Sequence, residues 1–214
     1  FRSVPLNPTA VDQDRIGRLV YRGGLELHSE HSWFGGYSGL TVSPNGRRLT
    51  AVSDRGTWLT AELTYQKGRL SGLQSAHVSP LLAPDGRPVG SGSRDAEAIA
   101  KDRQGGLMVS FEGRHRLRHF PAAPSPADTI PVLAAAPKDL SRAPSNKGLE
   151  ALAILGPEQY LLITEDHRNG DMDATGWILS HARDLERSTA AELSFAVSGL
   201  FHPTDAVALP DGDV

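Results

Sequence analysis

The chain contains no cysteine in its 214 residues. Disulfide bonds, thiolate nucleophiles and cysteine-ligated zinc are therefore excluded, and this absence suits both the cytoplasm and a bacterial periplasm without disulfides. No apolar run approaches the roughly 18 residues that a membrane-spanning helix requires, so we expect no membrane span. The chain also lacks an excess of positive charge, because 22 Lys and Arg stand against 25 Asp and Glu for a net charge of −3. This balance argues against a nucleic-acid partner.

Two further absences narrow the fold and the chemistry. No G-x-S-x-G motif occurs, which excludes the nucleophile elbow of an α/β-hydrolase serine esterase. No amphipathic helix of any length is evident, and residues 185–195 are the nearest candidate for one. What the chain has instead is 22 Gly and 15 Pro within a 39% hydrophobic composition. This composition predicts a packed core built from many short strands joined by turns.

One short pattern occurs four times along the chain, at spacings of between 53 and 59 residues. In each copy a marker position precedes a small apolar triplet. The marker is a hydroxyl in the first copy and a carboxylate in the other three: Ser38, Glu97, Glu150 and Asp205. A period near fifty, built from strand pairs and turns, is typical of a repeat architecture and above all of a β-propeller. Such a fold brings equivalent positions together around one axis.

Each copy continues in the same order, with a strand, a Gly- or Pro-containing turn and a second strand. In the first three copies the second strand ends in an acid: Asp54, Glu112 and Glu165. Weaker alternating segments supply two more strands in each unit, which makes a four-stranded propeller blade. The sequence therefore predicts an all-β fold, a β-propeller of four-stranded blades in a single domain over residues 1–214, with about four blades represented.

The two ends of the chain and one long connection are expected to differ from the blades. Residues 1–16 are predicted to form an N-terminal arm, and residues 121–144 an inter-blade loop with one helical turn at 137–141. The fourth copy stops just after its turn, so we expect the propeller to be incomplete at its C-terminal end and to lack roughly two further blades.

Several motifs in these repeats are similar to those of the phytase-like, "esterase-like activity of phytase", family of bacterial secreted proteins. They are SDRG at 53–56, DAEAIA at 95–100, VSFE at 109–112 and NKGLEALA at 146–153. The resemblance extends from about Gly17 to the C-terminus. It implies a six-bladed propeller whose acidic residues support calcium-dependent phosphoester hydrolysis. It also implies a periplasmic or secreted location, and a chain that begins at Phe1 agrees with removal of a signal peptide.

The repeated acids are the candidate metal ligands. Hard carboxylate oxygens suit calcium, which accepts six to eight oxygen ligands in irregular geometry. Acids from separate blades would meet at the propeller axis, where a bound calcium could polarise a phosphoryl oxygen and acidify a water molecule. The predicted ligands are Asp54, Glu97, Glu112, Glu150, Glu165 and Asp205.

Basic residues flank these acids, as a site for a metal and a phosphate requires. Glu97 and Glu150, together with His115 and His167, are the candidate catalytic groups, because a histidine can protonate a leaving oxygen near neutral pH. The candidate substrate-binding residues are Arg55, Arg94, Arg114, Lys147 and Arg168.

Three functions remain open at this stage. The first is a calcium-dependent phosphoester hydrolase that acts on a small-molecule substrate. The second is a non-catalytic propeller that binds a ligand or a protein and holds a structural metal, since this fold often serves as a scaffold. The third is a metal-dependent lactonase or esterase. The same acids could also serve only to lock neighbouring blades, by pairing with arginines or accepting backbone N–H groups.

Overall fold

The structure is a computed structural model that describes residues 1–168, 173–197, 201–209 and 211–214, with the backbone alone at Arg168. Regular structure in these residues consists of β-strands and short 3₁₀ turns. None of the described helical segments is long and apolar enough to cross a membrane. The all-β prediction is therefore confirmed.

The described N-terminal region, which includes the predicted arm over residues 1–16, forms two small sheets. Strand β1 pairs with β4, and β2 pairs with β3, all antiparallel. Their bounds are β1 (Arg2–Val4), β2 (Arg15–Ile16), β3 (Leu19–Val20) and β4 (Gly24–Glu26). Each short strand in the predicted arm thus pairs with one that follows it, and the backbone N–H of Leu70 in the first blade donates to the carbonyl of Arg22.

In the part of the chain that the structure describes, three four-stranded antiparallel sheets follow, each with its strands in sequence order. We call them blades 1, 2 and 3. Blade 1 contains β5 (Tyr37–Val42), β6 (Arg48–Ser53), β7 (Thr57–Gln66) and β8 (Arg69–Pro80). Blade 2 contains β9 (Ala96–Lys101), β10 (Leu107–Phe111), β11 (Arg116–Phe120) and β12 (Val132–Ala134). Blade 3 contains β13 (Leu149–Gly156), β14 (Gln159–Arg168), β15 (Ala174–Ser180) and β16 (Thr189–Phe195).

The first strands of the blades lie next to one another, as they do around a propeller axis. Strand β9 contacts both β5 and β13. Residues 205–208 of the fourth copy line a cavity of about 420 Å³ together with these three strands. The fourth copy therefore takes its place beside the other inner segments, although residues 204–209 form no strand in the described part of the chain.

Two segments form strands where the sequence predicted a helix candidate or a loop. Residues 189–195, within the nearest helix candidate, form strand β16 at the edge of blade 3, where the ladder with β15 outweighs local helix propensity. The predicted loop over 121–144 contains β12, the outer strand of blade 2, and two 3₁₀ turns at Pro126–Asp128 and Lys138–Arg142. The second of these turns coincides with the predicted helical turn.

Large apolar side chains fill the spaces between blades. Trp58 of blade 1 is fully buried and meets Phe120 of blade 2 edge-to-face, with ring centroids 5.0 Å apart. Leu117 of blade 2 belongs to the same buried cluster as Leu152 and Trp177 of blade 3. Burial of each such side chain contributes about 1.5–3 kcal/mol, so these two layers fix the blades against each other.

Small residues on the inner strands allow neighbouring blades to approach closely. A Cβ atom added to Gly39 of β5 would lie 2.7 Å from the carbonyl oxygen of Glu97 and 3.0 Å from the Cα of Ala98. Both are backbone atoms, which cannot turn aside as a flexible side chain can. Gly39 therefore sets the distance between blade 1 and the strand that carries Glu97.

We expect a Gly39→Ala variant to lose about 1–3 kcal/mol of unfolding free energy, because the methyl group overpacks the contact between β5 and β9. The measurement is urea unfolding followed by tryptophan fluorescence. Gly90→Ala is the matched control, since its Cβ would meet nothing within 4 Å and its φ is −73°. Equal stability of the two variants would contradict this account of the contact.

Candidate functional site

In blades 1, 2 and 3 the marker residue lies in a β-bulge at the start of the inner strand. In blade 1 the pairing passes from Tyr37 to Gly39, which leaves Ser38 as the extra residue. In blade 3 it passes from Leu149 to Ala151, which leaves Glu150 as the extra residue. In blade 2 the pairing of β10 with β9 changes register between Ile99 and Ala96, a step that includes Glu97. A bulge re-aims a side chain out of the regular alternation and is over-represented next to active sites.

A repeated backbone hydrogen bond holds each marker close to the acid at the end of the second strand. In all three blades, the N–H of that acid donates to the carbonyl of the residue two positions before the marker. The bonds are Asp54 to Gly36 at 2.8 Å, Glu112 to Asp95 at 2.8 Å and Glu165 to Gly148 at 3.0 Å. The backbone therefore places the marker and the strand-end acid side by side in each described blade.

Blade 2 brings three carboxylates together in what we call the blade-2 acid group, Asp95, Glu97 and Glu112. One oxygen from each lies within 4.8 Å of the others, and Glu112 is buried while the other two are half-buried. Asp95 was not among the predicted ligands. The D-x-E spacing was the signal that could have identified it, because residues two apart next to a strand project to the same side.

Two more predicted acids adjoin this group from blade 3. Burial is the main cause that raises the pKa of Glu150 to about 7, and the negative charges of Glu112 and Glu165 add to it. Burial also raises the pKa of Glu112, whose carboxylate accepts a hydrogen bond from the Gly148 N–H. One predicted ligand thus also locks blade 2 to blade 3, as the purely structural interpretation expects.

Glu97 has the largest shift in the site. Its pKa is raised to about 8, mainly by burial and next by the charge of Glu150. Its hydrogen bond with Ser38 of blade 1 opposes the shift. The serine at the first marker therefore supports the carboxylate of the neighbouring blade. The raised pKa values mean that, near neutral pH, these acids resist ionisation together, so the site favours a proton or a cation.

Calcium suits this donor set, which offers carboxylate oxygens of half-buried and buried side chains from one blade. The blade-2 acid group can supply three ligands, and the cation would replace the proton that Glu97 holds below its pKa of about 8.

His115 is the predicted catalytic histidine that lies against the acids. Its Nε2 is 3.0 Å from the carbonyl oxygen of Pro144 and 3.2 Å from that of Ala143. Because carbonyl oxygens only accept, Nε2 carries a proton. Nδ1 is buried and has no hydrogen-bond partner in the described structure. It packs against Gly148, where an added Cβ atom would lie 2.5 Å from it. By contrast, His167 is half-buried on β14, and its carbonyl accepts a hydrogen bond from Thr164 Oγ1.

The predicted substrate-binding residues differ in their exposure and in the groups that they contact. Lys147 Nζ lies 3.3 Å from Glu165 Oε2 and 3.7 Å from Asp166 Oδ2, so its ammonium is already paired with acids. Arg55 is exposed and donates to the carbonyl of Phe34 at 2.8 Å. Arg94 and Arg114, next to the blade-2 acid group in sequence, are both exposed. The side chain of Arg168 lies outside the described residues.

Two predicted ligands, Asp54 and Asp205, neither belong to the blade-2 acid group nor are among the acids that adjoin it. Asp54 is exposed, and its Oδ1 is 3.3 Å from Ser53 Oγ. Asp205 is also exposed, and its Oδ1 accepts the N–H of Ala206 at 2.8 Å. Neither is among the charges that raise the pKa of Glu97 or Glu150.

The chain matches the model of a known protein family. A family model described as "Phytase-like: Esterase-like activity of phytase" matches residues 32–214. This range contains blades 1, 2 and 3 and every residue of the blade-2 acid group. No curated protein matches the chain.

Proposed function

Since the chain belongs to the phytase-like (esterase-like activity of phytase) family, we propose that it is a calcium-dependent phosphoester hydrolase. The family suggests hydrolase activity of the esterase or phosphatase kind. The observation that supports a site at the blade-2 acid group is the approach of three carboxylates within 4.8 Å, next to two more acids of blade 3. We place the reaction there.

In this proposal Asp95, Glu97 and Glu112 hold the ion, and Ser38 orients Glu97 through its hydrogen bond. When bound, calcium would polarise a phosphoryl oxygen and lower the pKa of a water molecule. Glu150 lies outside the blade-2 acid group and has a pKa of about 7. It can therefore hold a proton near neutral pH and give it to the leaving oxygen.

Arg114 is the proposed phosphate-binding residue. It follows Glu112 by two positions, its backbone N–H donates to the Glu112 carbonyl at 2.7 Å, and it is exposed. A guanidinium there can bind two phosphate oxygens at once. We expect Arg114→Gln to raise KM for a phosphomonoester about 10-fold, with a smaller change in kcat.

Arg142→Gln is the control for this measurement, because Arg142 is exposed and pairs with Asp139 at 3.1 Å in the 3₁₀ turn of the 121–144 connection. Steady-state kinetics on p-nitrophenyl phosphate separate the two variants. An unchanged KM in Arg114→Gln would remove Arg114 from the proposal.

The activity itself is tested with a substrate panel in the presence of calcium and again with a chelator. The panel comprises p-nitrophenyl phosphate, bis-p-nitrophenyl phosphate and inositol hexakisphosphate. The proposal expects phosphate or nitrophenol release that the chelator abolishes and calcium restores. Calcium binding without turnover of any ester would instead support the non-catalytic propeller with a structural metal.

A carboxylic ester or lactone hydrolase is the second candidate, favoured by the charge of the site. Five acids adjoin one another there, whereas the ammonium of Lys147 is already paired with Glu165 and Asp166. Such an excess of negative charge suits a neutral substrate better than a phosphate unless a metal compensates it. p-Nitrophenyl butyrate and a γ-lactone, added to the panel, distinguish this candidate from the first.

A periplasmic or secreted location completes the proposal. Calcium sites of extracellular modules work at dissociation constants of about 10⁻⁴–10⁻³ M, which such a compartment can saturate. Fractionation of cells that express the gene from its own start codon tests this location.

A further inference from the structure

Strand β11 carries two arginines on the side of blade 2 that faces blade 1. Arg116 and Arg118 are two positions apart, so they project from the same face of the strand. Phe120 continues this face and meets Trp58 of blade 1. The guanidinium carbon of Arg116 lies 4.2 Å from the centroid of the Phe111 ring, and that of Arg118 lies 5.2 Å from the same centroid. The two cations therefore lie against one aromatic ring.

Arg118 is a buried cation that lacks hydrogen-bond acceptors. Only 9% of the residue is exposed, and its Nε and Nη1 atoms are buried with no partner in the described structure. The Phe111 ring attracts the positive charge but offers no oxygen to these N–H groups. A guanidinium stays protonated in proteins, so burial without acceptors or a counter-charge is destabilising. The side chain therefore points to an acceptor that the described residues do not supply.

Arg116, beside it, has partners but no counter-charge. It donates from Nη1 to the carbonyl of Arg114 at 2.7 Å and from Nη2 to the carbonyl of Ser93. Both acceptors are neutral. The pKa of Arg116 is lowered to about 10, mainly by burial and next by the charges of Arg118 and Arg114, so the side chain is still charged near neutral pH. Arg116 is half-buried, which leaves the pair open to solvent on its side.

We propose that Arg116 and Arg118 bind a compact oxyanion of the phosphate or sulfate type, at what we call the arginine-pair site. Two adjacent guanidinium groups present N–H donors that match the oxygens of such an anion. The anion would accept hydrogen bonds that no protein group accepts, and it would compensate two neighbouring positive charges. The inference does not depend on the proposed function, because the arginine-pair site includes no residue of the blade-2 acid group and requires no calcium.

The test is thermal unfolding of metal-free protein at pH 7, with low millimolar phosphate, sulfate or acetate at an ionic strength held constant with sodium chloride. Metal-free protein excludes a phosphate held by calcium at the acids. We expect a saturable rise of Tm with phosphate and with sulfate, and a smaller rise with acetate. A rise that does not saturate would be a general salt effect and would overturn the inference. Acetate as effective as phosphate would also contradict it.

Arg118→Met removes the buried charge and keeps an unbranched apolar side chain. Without phosphate this variant should be at least as stable as the wild type, because an uncompensated buried charge is gone. With saturating phosphate the wild type should be the more stable protein. The affinity of the variant for phosphate should fall about 10- to 100-fold, as expected for a lost charge-assisted hydrogen bond. Arg142→Met is the matched control and should keep the wild-type affinity, since Arg142 is exposed and pairs with Asp139.

A role of Arg118 in packing alone gives a different result. Arg118→Met would then be less stable than the wild type by the same amount with and without phosphate, which would overturn the inference. Arg114→Gln locates the anion. A phosphate affinity close to the wild-type value in that variant supports the arginine-pair site, whereas a loss as large as in Arg118→Met would move the anion to Arg114.

Should Arg118→Met fail to fold, Arg116→Met decides the question by the same titration. A phosphate affinity about 10-fold lower than that of the wild type supports the inference, and an unchanged affinity overturns it. The result is separate from that of the proposed function. Phosphate binding by metal-free protein can be found when no ester is hydrolysed, and calcium-dependent hydrolysis can be found when metal-free protein binds no phosphate.

Discussion

A Glu97→Gln protein is expected to bind calcium about 100-fold more weakly than the wild type, yet to be more stable without calcium. The two effects have one cause. Glu97 lies beside other carboxylates, and burial together with the charge of Glu150 raises its pKa to about 8. The amide removes a charge that the fold disfavours and a ligand that the ion requires. The amide can still accept the hydrogen bond of Ser38.

Titration calorimetry and thermal unfolding in a chelator measure the two effects separately. Asp54→Asn is the matched control, because Asp54 ends the second strand of its repeat, as Glu112 does, but is exposed and outside the blade-2 acid group. It should leave both quantities close to the wild-type values. A Glu97→Gln protein that is less stable than the wild type and binds calcium normally would mean that Glu97 only locks the blades.

Metal-free protein is expected to lose stability as pH rises, and calcium is expected to restore it. The folded pKa values of Glu97 and Glu150, about 8 and about 7, lie above the ordinary value of 4.5. The folded state therefore binds more protons than the unfolded state between pH 4.5 and 8, and these two groups destabilise the fold progressively across that window. Below pH 4.5 both states are protonated and the effect vanishes.

Calcium acts in the opposite direction, because it binds the ionised acids of the folded state. At 100 times its dissociation constant it should add about 2.7 kcal/mol, or roughly 5–10 °C in Tm. The gain should be large at pH 8 and small at pH 5, where protons compete for Glu97. Differential scanning calorimetry at both pH values, with calcium or chelator, measures it. A calcium effect that is equal at the two pH values would exclude these acids as the ligands.

Much of the fold was predictable because it is periodic. The alternation of strands and turns in each copy identified the inner two strands of each described blade, and the period identified the blade as the unit. The outer strands depend on partners instead. β12 and β16 are edge strands whose ladders with β11 and β15 override weak or contrary local signals.

The candidate site was predictable to the extent that it follows the repeat. Glu97, Glu112, Glu150 and Glu165 are near one another because the bulge and the repeated backbone bond recur in each blade. Asp95 and Lys147 lie next to the repeated marker positions in sequence. Their contacts depend on the side chains that lie opposite them in the fold, which the repeat does not predict. Asp54 and Asp205 match the pattern but lack those neighbours.

The asymmetry of the marker positions is a consequence of how blades 1 and 2 meet. Ser38 of blade 1 has a hydroxyl that binds Glu97, where a carboxylate would add one more charge to a group that already resists ionisation. Within the described residues, the acids that come together are therefore centred on blade 2, in keeping with the asymmetric set of markers in the sequence.

The most direct test of calcium-dependent hydrolysis at the blade-2 acid group is the rate of phosphate release as a function of free calcium, in the wild type and in Glu97→Gln. The wild-type rate should rise from zero in chelator, with half-saturation at the dissociation constant from calorimetry, and the curve of Glu97→Gln should shift to about 100-fold higher calcium. A rate that is independent of calcium, or identical in the two proteins, would contradict the account.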